Sequence, residues 1–138
     1  MIEKESWKII EMVIRRYPDK KNEYEQYISE IMASSPAAGV KTTEQDDYSK
    51  PQSVTEAKAL KMHSKYMDKI KKEIEAVELV YNNLKQEEQK LMKARYWTDR
   101  TRNIPYLKIK GVSYSERQMR RIIYKIIRQV GKYIGEIE

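Results

Sequence analysis

The chain has 138 residues, with 28 Lys+Arg, 21 Asp+Glu, one His and no Cys. That length suits one compact domain or two very small ones. Four Gly, four Pro and 36% charged residues argue against collagen-like, low-complexity and membrane classes, and the lack of Cys excludes a disulfide framework and a thiolate metal site.

Helical spacing starts at once. The first five residues, Met1 to Glu5, lack the basic start and apolar run of a signal peptide, so the expected location is cytoplasmic. Trp7, Ile10, Ile14 and Tyr17 recur at three- and four-residue spacing, with Val13 beside them. Pro18 is expected to end this helix, because its ring removes a donor and crowds the preceding turn. Asp19 or Asn22 then caps a second helix with Tyr24, Tyr27, Ile28, Ile31 and Met32 on one stripe. Residues 1–32 thus read as an N-terminal helical hairpin. Residues 33–52 lose the apolar period, with Ser34-Ser35-Pro36 and then Glu44, Asp46 and Asp47, and read as a flexible linker.

Ser53-Val54-Thr55-Glu56 fits a capping box. A long helix is expected from it to Asn82 or Asn83, within a segment 53–84. Its stripe is Leu60, His63, Met67, Ile70, Ile74, Val77, Tyr81 and Leu84, the alternating three–four spacing of a coiled-coil seam. Lys58, Lys61, Lys65, Lys69 and Lys72 fall on the opposite face. The seam needs an apolar partner. Either the N-terminal hairpin or a second copy of the chain, giving a homodimer, satisfies it.

Residues 85–138 form the last segment. Glu87 and Glu88 suit a helix start, while Lys90, Lys93 and Arg95 suit its end. Leu91, Met92, Tyr96 and Trp97 make its inner side. Thr98 to Asn103 is a polar loop. Pro105 opens a short helix carrying Ile104, Leu107 and Ile109, and Gly111 turns the chain. Ser115-Glu116-Arg117-Gln118 is a second capping box. Behind it Met119, Ile122, Ile123, Ile126, Ile127, Val130 and Ile134 form one broad apolar face. Gly131 and Gly135 are expected to loosen the end of that helix.

Charge separates the segments. Residues 85–138 hold 14 Lys+Arg against 6 Asp+Glu, a net +8, which leaves 14 against 15, a net −1, for residues 1–84. A basic C-terminal module points to a polyanion. The sequence offers no catalytic constellation, phosphate loop, metal-spaced His or Cys set, or cofactor motif. The reading is therefore non-enzymatic, with no metal and no cofactor. A short helix, a Gly-containing turn and a capped basic helix follow the order of a helix-turn-helix, whose second helix meets base edges with its first turns. Ser115, Glu116, Arg117, Gln118, Arg120 and Arg121 stand at that end. Arg can read guanine there and Gln adenine. Arg100, Arg102, Lys108, Lys110, Tyr124, Lys125 and Arg128 are candidate phosphate contacts, which add affinity without sequence choice.

Several of these residues carry a resemblance. Val77-Glu78-Leu79-Val80-Tyr81-Asn82-Asn83-Leu84, Glu87-Glu88-Gln89-Lys90-Leu91 and Arg95-Tyr96-Trp97 resemble the RinA/ArpU-like phage transcriptional regulators. Tyr114 to Arg121 falls where that family's recognition helix begins, and Ile14-Arg15-Arg16-Tyr17-Pro18 resembles its opening helix. The first helix of the family's helix-turn-helix corresponds to residues 104–113, which here contain Pro105 and Gly111. The helical periods give an all-α chain, and the resemblance implies a phage or prophage regulator that acts as an activator of late genes, with a C-terminal domain similar to region 4 of sigma factors. It implies double-stranded DNA and host RNA polymerase as partners, and Ser115 to Arg121 as the DNA-reading start of the last helix. Tyr96 and Trp97 would then be core. The competing expectations are a non-enzymatic coiled-coil adaptor and a DNA-binding subunit of a phage packaging complex.

Overall fold

The computed structural model of the chain describes residues 2–33 and 54–138, with the stretch 54–62 as backbone only. Among these residues the fold is all-α, with no strand. The helices are α1 (Lys4–Ala33), α2 (Val54–Asn82), α3 (Gln86–Tyr96) and α4 (Glu116–Ile134). A single 3-10 turn, Tyr106–Lys108, lies between α3 and α4. No helix among the described residues is long and apolar enough to cross a membrane. Apart from Ala33, which closes α1, the linker expected over residues 33–52 lies outside the described residues, as does the side chain of Leu60.

The expected N-terminal hairpin is one continuous helix, with Pro18 inside it. Proline lacks the N–H that would bond the carbonyl of residue 14. Here the indole Nε1 of Trp97 donates to that Ile14 carbonyl at 2.8 Å. A side chain from 83 residues downstream in sequence thus supplies the donor that proline cannot.

The chain divides into two compact units, Met1–Asp19 with Lys72–Glu138, and Lys20–Lys71. The boundaries at 32 and 84 expected from sequence are not those of the packing. In the first unit, Ile10, Val13 and Ile14 of α1 and Val77 and Val80 of α2 share one core with Leu91, Met92 and Tyr96 of α3 and the apolar face of α4. Trp97 sits in an aromatic group, stacked on Tyr81 at 5.6 Å and tilted against Tyr17 at 5.3 Å.

Gly131 does not loosen α4. It is buried within the helix, and a Cβ placed there would stand 2.5 Å from Cδ1 of Ile10. The missing side chain lets α1 approach. Gly135, with φ +81°, is the left-handed C-cap that ends the helix.

In the second unit, Met67 and Ile70 are buried. His63, placed on the seam by spacing, is exposed and sets its ring edge-on to Tyr27 at 5.1 Å. Further along the stripe, Ile74 and Val77 are buried within the single chain, and Tyr81 and Leu84 are half-buried against the core of the first unit. Four of the stripe's residues, Met67, Ile70, Ile74 and Val77, are thus buried in the chain itself.

Candidate nucleic-acid interface

α4 opens on a reciprocal side-chain cap and ends on a left-handed glycine. Ser115 Oγ accepts the Gln118 N–H at 3.2 Å, and Gln118 Oε1 accepts the Ser115 N–H at 2.8 Å. This reciprocal cap satisfies two donors that a helix start otherwise leaves open. Met119, Ile123, Ile126, Ile127 and Val130 are buried along the back. Cap and core together fix the outer face, which carries six of the helix's cations against Glu116 as its one acid.

The six residues expected at base edges divide by their bonding. Ser115 and Gln118 are engaged in the cap. Glu116 Oε2 accepts from Arg120 at 3.0 and 2.9 Å, from Nε and Nη2. The Arg120 guanidinium also lies 4.8 Å from the ring centre of Tyr106, and that of Arg95 lies 4.0 Å from the same ring. Glu116 and Arg120 are thereby drawn into holding the turn before α4, a role the spacing alone does not suggest. Arg117 and Arg121 are exposed and have no ion-pair or hydrogen-bond partner among the described residues.

The candidate phosphate contacts divide similarly. Arg100 Nε reaches Asp19 at 3.4 Å, and Arg102 Nε reaches Asp99 at 3.3 Å. Asp99 also accepts the backbone N–H and the hydroxyl of Thr101, which hold its carboxyl below the usual range with Arg102 adding to them. Lys125 donates to the buried Glu88 at 3.0 Å. Tyr124 rests against Trp7 of α1, ring centres 5.9 Å apart. Lys108, Lys110 and Arg128 are exposed, with no acidic partner among the described residues. Arg117, Arg121, Tyr124 and Arg128 follow one another at four, three and four residues, so they form one row on the outer face.

The expected short helix before the turn is reduced to a single 3-10 turn. It spans only Tyr106–Lys108, and Leu107 within it is 81% exposed. Tyr106 is the residue that packs inward. Pro105 withholds a donor at the start of the turn, and Arg95 bonds the Ile104 carbonyl at 2.8 Å while its own carbonyl accepts the Ile104 N–H at 2.9 Å. That pairing clamps the segment to α3 as extended chain and leaves too few residues before Gly111, at φ +84°, for a second helical turn. The two-helix geometry of a helix-turn-helix is thus missing here, and α1 and α3 brace α4 instead.

A polar cluster ties α1 to the loop after α3. Glu11 Oε2 accepts from the Tyr96 hydroxyl at 2.7 Å and from Asn103 Nδ2 at 3.1 Å. Asn103 Oδ1 accepts from Arg15 at 2.6 Å. Burial, reinforced by the Glu11 carboxylate, pushes the Tyr96 hydroxyl well above its usual pKa, so it remains a donor. Tyr106 is the residue that sequence reasoning missed. Its sequence signal is weak, an aromatic three residues after a polar loop, and only the fold stacks Arg95 and Arg120 on it. Comparison with family models, curated proteins and solved structures gives no match.

Proposed function

We propose that the chain binds duplex DNA with sequence preference and regulates transcription, with α4 as the reading helix. The observation that carries this reading is the row of Arg117, Arg121 and Arg128. Its guanidinium groups are exposed and lack acidic partners among the described residues, on a helix whose cap and buried back leave it little freedom. Guanidinium groups held in that way match the paired acceptors of guanine and the oxygens of phosphate. The local net +8 of residues 85–138 would add a sequence-independent attraction. The resemblance to RinA/ArpU-like regulators supplies the biological form of the reading: control of phage late genes through contact with host RNA polymerase. Without a first helix of the usual kind, α4 would meet the groove flanked by the Tyr106–Lys108 turn.

The test is fluorescence anisotropy with duplex tiles from around the protein's own gene and the genes downstream, over a salt series. Tight binding to one tile, falling steeply with salt, is the expected result. Equal weak binding to every tile would remove the promoter-reading function and favour a packaging role. Absence of binding would leave a protein-interaction module.

A further inference from the structure

We infer that Lys90, Lys93 and Lys110 form a second anion site, which clamps the DNA backbone beside the groove that α4 enters. This rests on the reading of α4 as the DNA-binding helix. The three lysines line one hollow of about 650 Å³, together with Trp97 and the hydroxyl-bearing Thr98. Lys90 and Lys93 come from successive positions on one face of α3, whereas Lys110 comes from the loop before α4.

Cations in the last turn of α3 complement the helix dipole, which accounts for Lys93. The dipole does not account for Lys110, which lies outside the helix. Gly111, at φ +84°, turns the chain beside it, and a Cβ there would meet nothing within 4 Å. That glycine serves the path of the backbone rather than close packing. The Ser113 N–H then bonds Glu87 Oε2 at 3.3 Å and fastens the loop to α3.

Three like charges around one hollow repel unless something neutralises them. The acid nearby is Glu87, 3.5 Å from Lys90, and both side chains of that pair are substantially exposed. Such pairs neutralise little. Lys93 leans over the Tyr81 ring at 5.4 Å, and Lys110 has no acidic partner among the described residues. A bound anion relieves this repulsion.

Reach favours the DNA backbone as its source. Lys110 stands five residues before Ser115, so even a fully extended chain places it within about 18 Å of the cap. The major groove is about 12 Å wide. A helix start in the groove therefore has the flanking phosphates within range of this hollow. Lysine suits that contact, because it acts on phosphate as a point charge and carries no sequence information.

The test is the triple variant Lys90→Gln, Lys93→Gln, Lys110→Gln, with Lys90→Arg, Lys93→Arg, Lys110→Arg as the charge-keeping control. Anisotropy is measured with several unrelated duplexes over a salt series. The expected result is a slope of log K against log salt shallower by about 0.9, the mark of one lost phosphate contact. Affinity should fall by a similar factor for every duplex, with the order of preference unchanged and the Arg variant like wild type. An unchanged slope overturns the site. A shift in preference among duplexes also overturns it, since the lysines would then be reading bases. If wild type binds all duplexes equally but the Gln variant still loses slope, the clamp stands and the reading role of α4 fails. If wild type binds none, both fail.

Discussion

The indole N–H of Trp97 bonds the one carbonyl of α1 that Pro18 leaves without its helical donor, that of Ile14, at 2.8 Å. The bond makes the continuity of the first helix depend on the loop after the third. It also ties the C-terminal end of α3 to the N-terminal helix.

Trp97→Phe keeps most of the ring and removes the donor. Leaving a part-buried carbonyl unbonded costs about 1–3 kcal/mol. Thermal unfolding should therefore occur several degrees lower. Pro18→Ala restores a backbone N–H at that place, so the double variant should recover part of the loss. A double-mutant cycle measures this directly. Strict additivity of the two changes would show that the carbonyl does not couple them.

Gly131→Ala would normally favour a helix by up to about 1 kcal/mol. Here its Cβ meets Ile10 Cδ1 at 2.5 Å and Ile137 Cγ1 at 3.0 Å. Overpacking of this kind costs about 1–3 kcal/mol. The expected outcome is net destabilisation in a denaturant melt. Ile10→Val in the same background removes the Cδ1 methyl and should restore stability. A stabilised Gly131→Ala protein would mean that α1 does not press on α4.

Glu88 sets an acid limit. Burial raises its pKa, but the Lys85 N–H at 3.1 Å and the Lys125 ammonium at 3.0 Å outweigh burial and hold the carboxyl below its ordinary 4.5. A folded pKa below the unfolded one gives stability that is present above that ordinary value and lost as pH falls through the lowered one. Unfolding free energy should drop over that acid range. In Glu88→Gln the drop should be smaller, with lower stability at neutral pH. Identical pH profiles for the two proteins would discount the carboxylate.

Arg117 and Arg120 are three residues apart on α4 but differ in what they touch. Arg117→Ala should cost about 1–3 kcal/mol of preferred-site binding and relax the choice of base, if it reads a base edge. Its melting temperature should stay near wild type, since its side chain is exposed and has no ion pair among the described residues. Arg120→Ala removes the bond to Glu116 and the stack on Tyr106, so its first effect should be on the Tyr106–Lys108 turn. Proton exchange in residues 104–110 would report that loosening. An Arg120→Ala protein with an unaltered loop would return Arg120 to the list of free readers.

The helical class, the end of α2 near Asn82, the cap at Ser115 and the apolar back of α4 are all legible in the order of the residues. Those features are local: periodicity over a few turns and hydrogen bonds between residues three apart specify them. The stripe from Met67 to Val77 was equally legible, although what covers it was not. Among the candidate contacts, spacing put Arg117, Arg121 and Arg128 on one face. It had no means of separating them from Arg120, whose partner Tyr106 lies 14 residues back in the chain. Tertiary structure alone decided four further matters. Trp97 carries α1 through Pro18, Gly131 admits Ile10, three lysines from two elements share a hollow, and the expected helix at 104–110 shrinks to one turn. Each depends on groups apart in sequence being brought together by the fold, and no local pattern records which group will arrive.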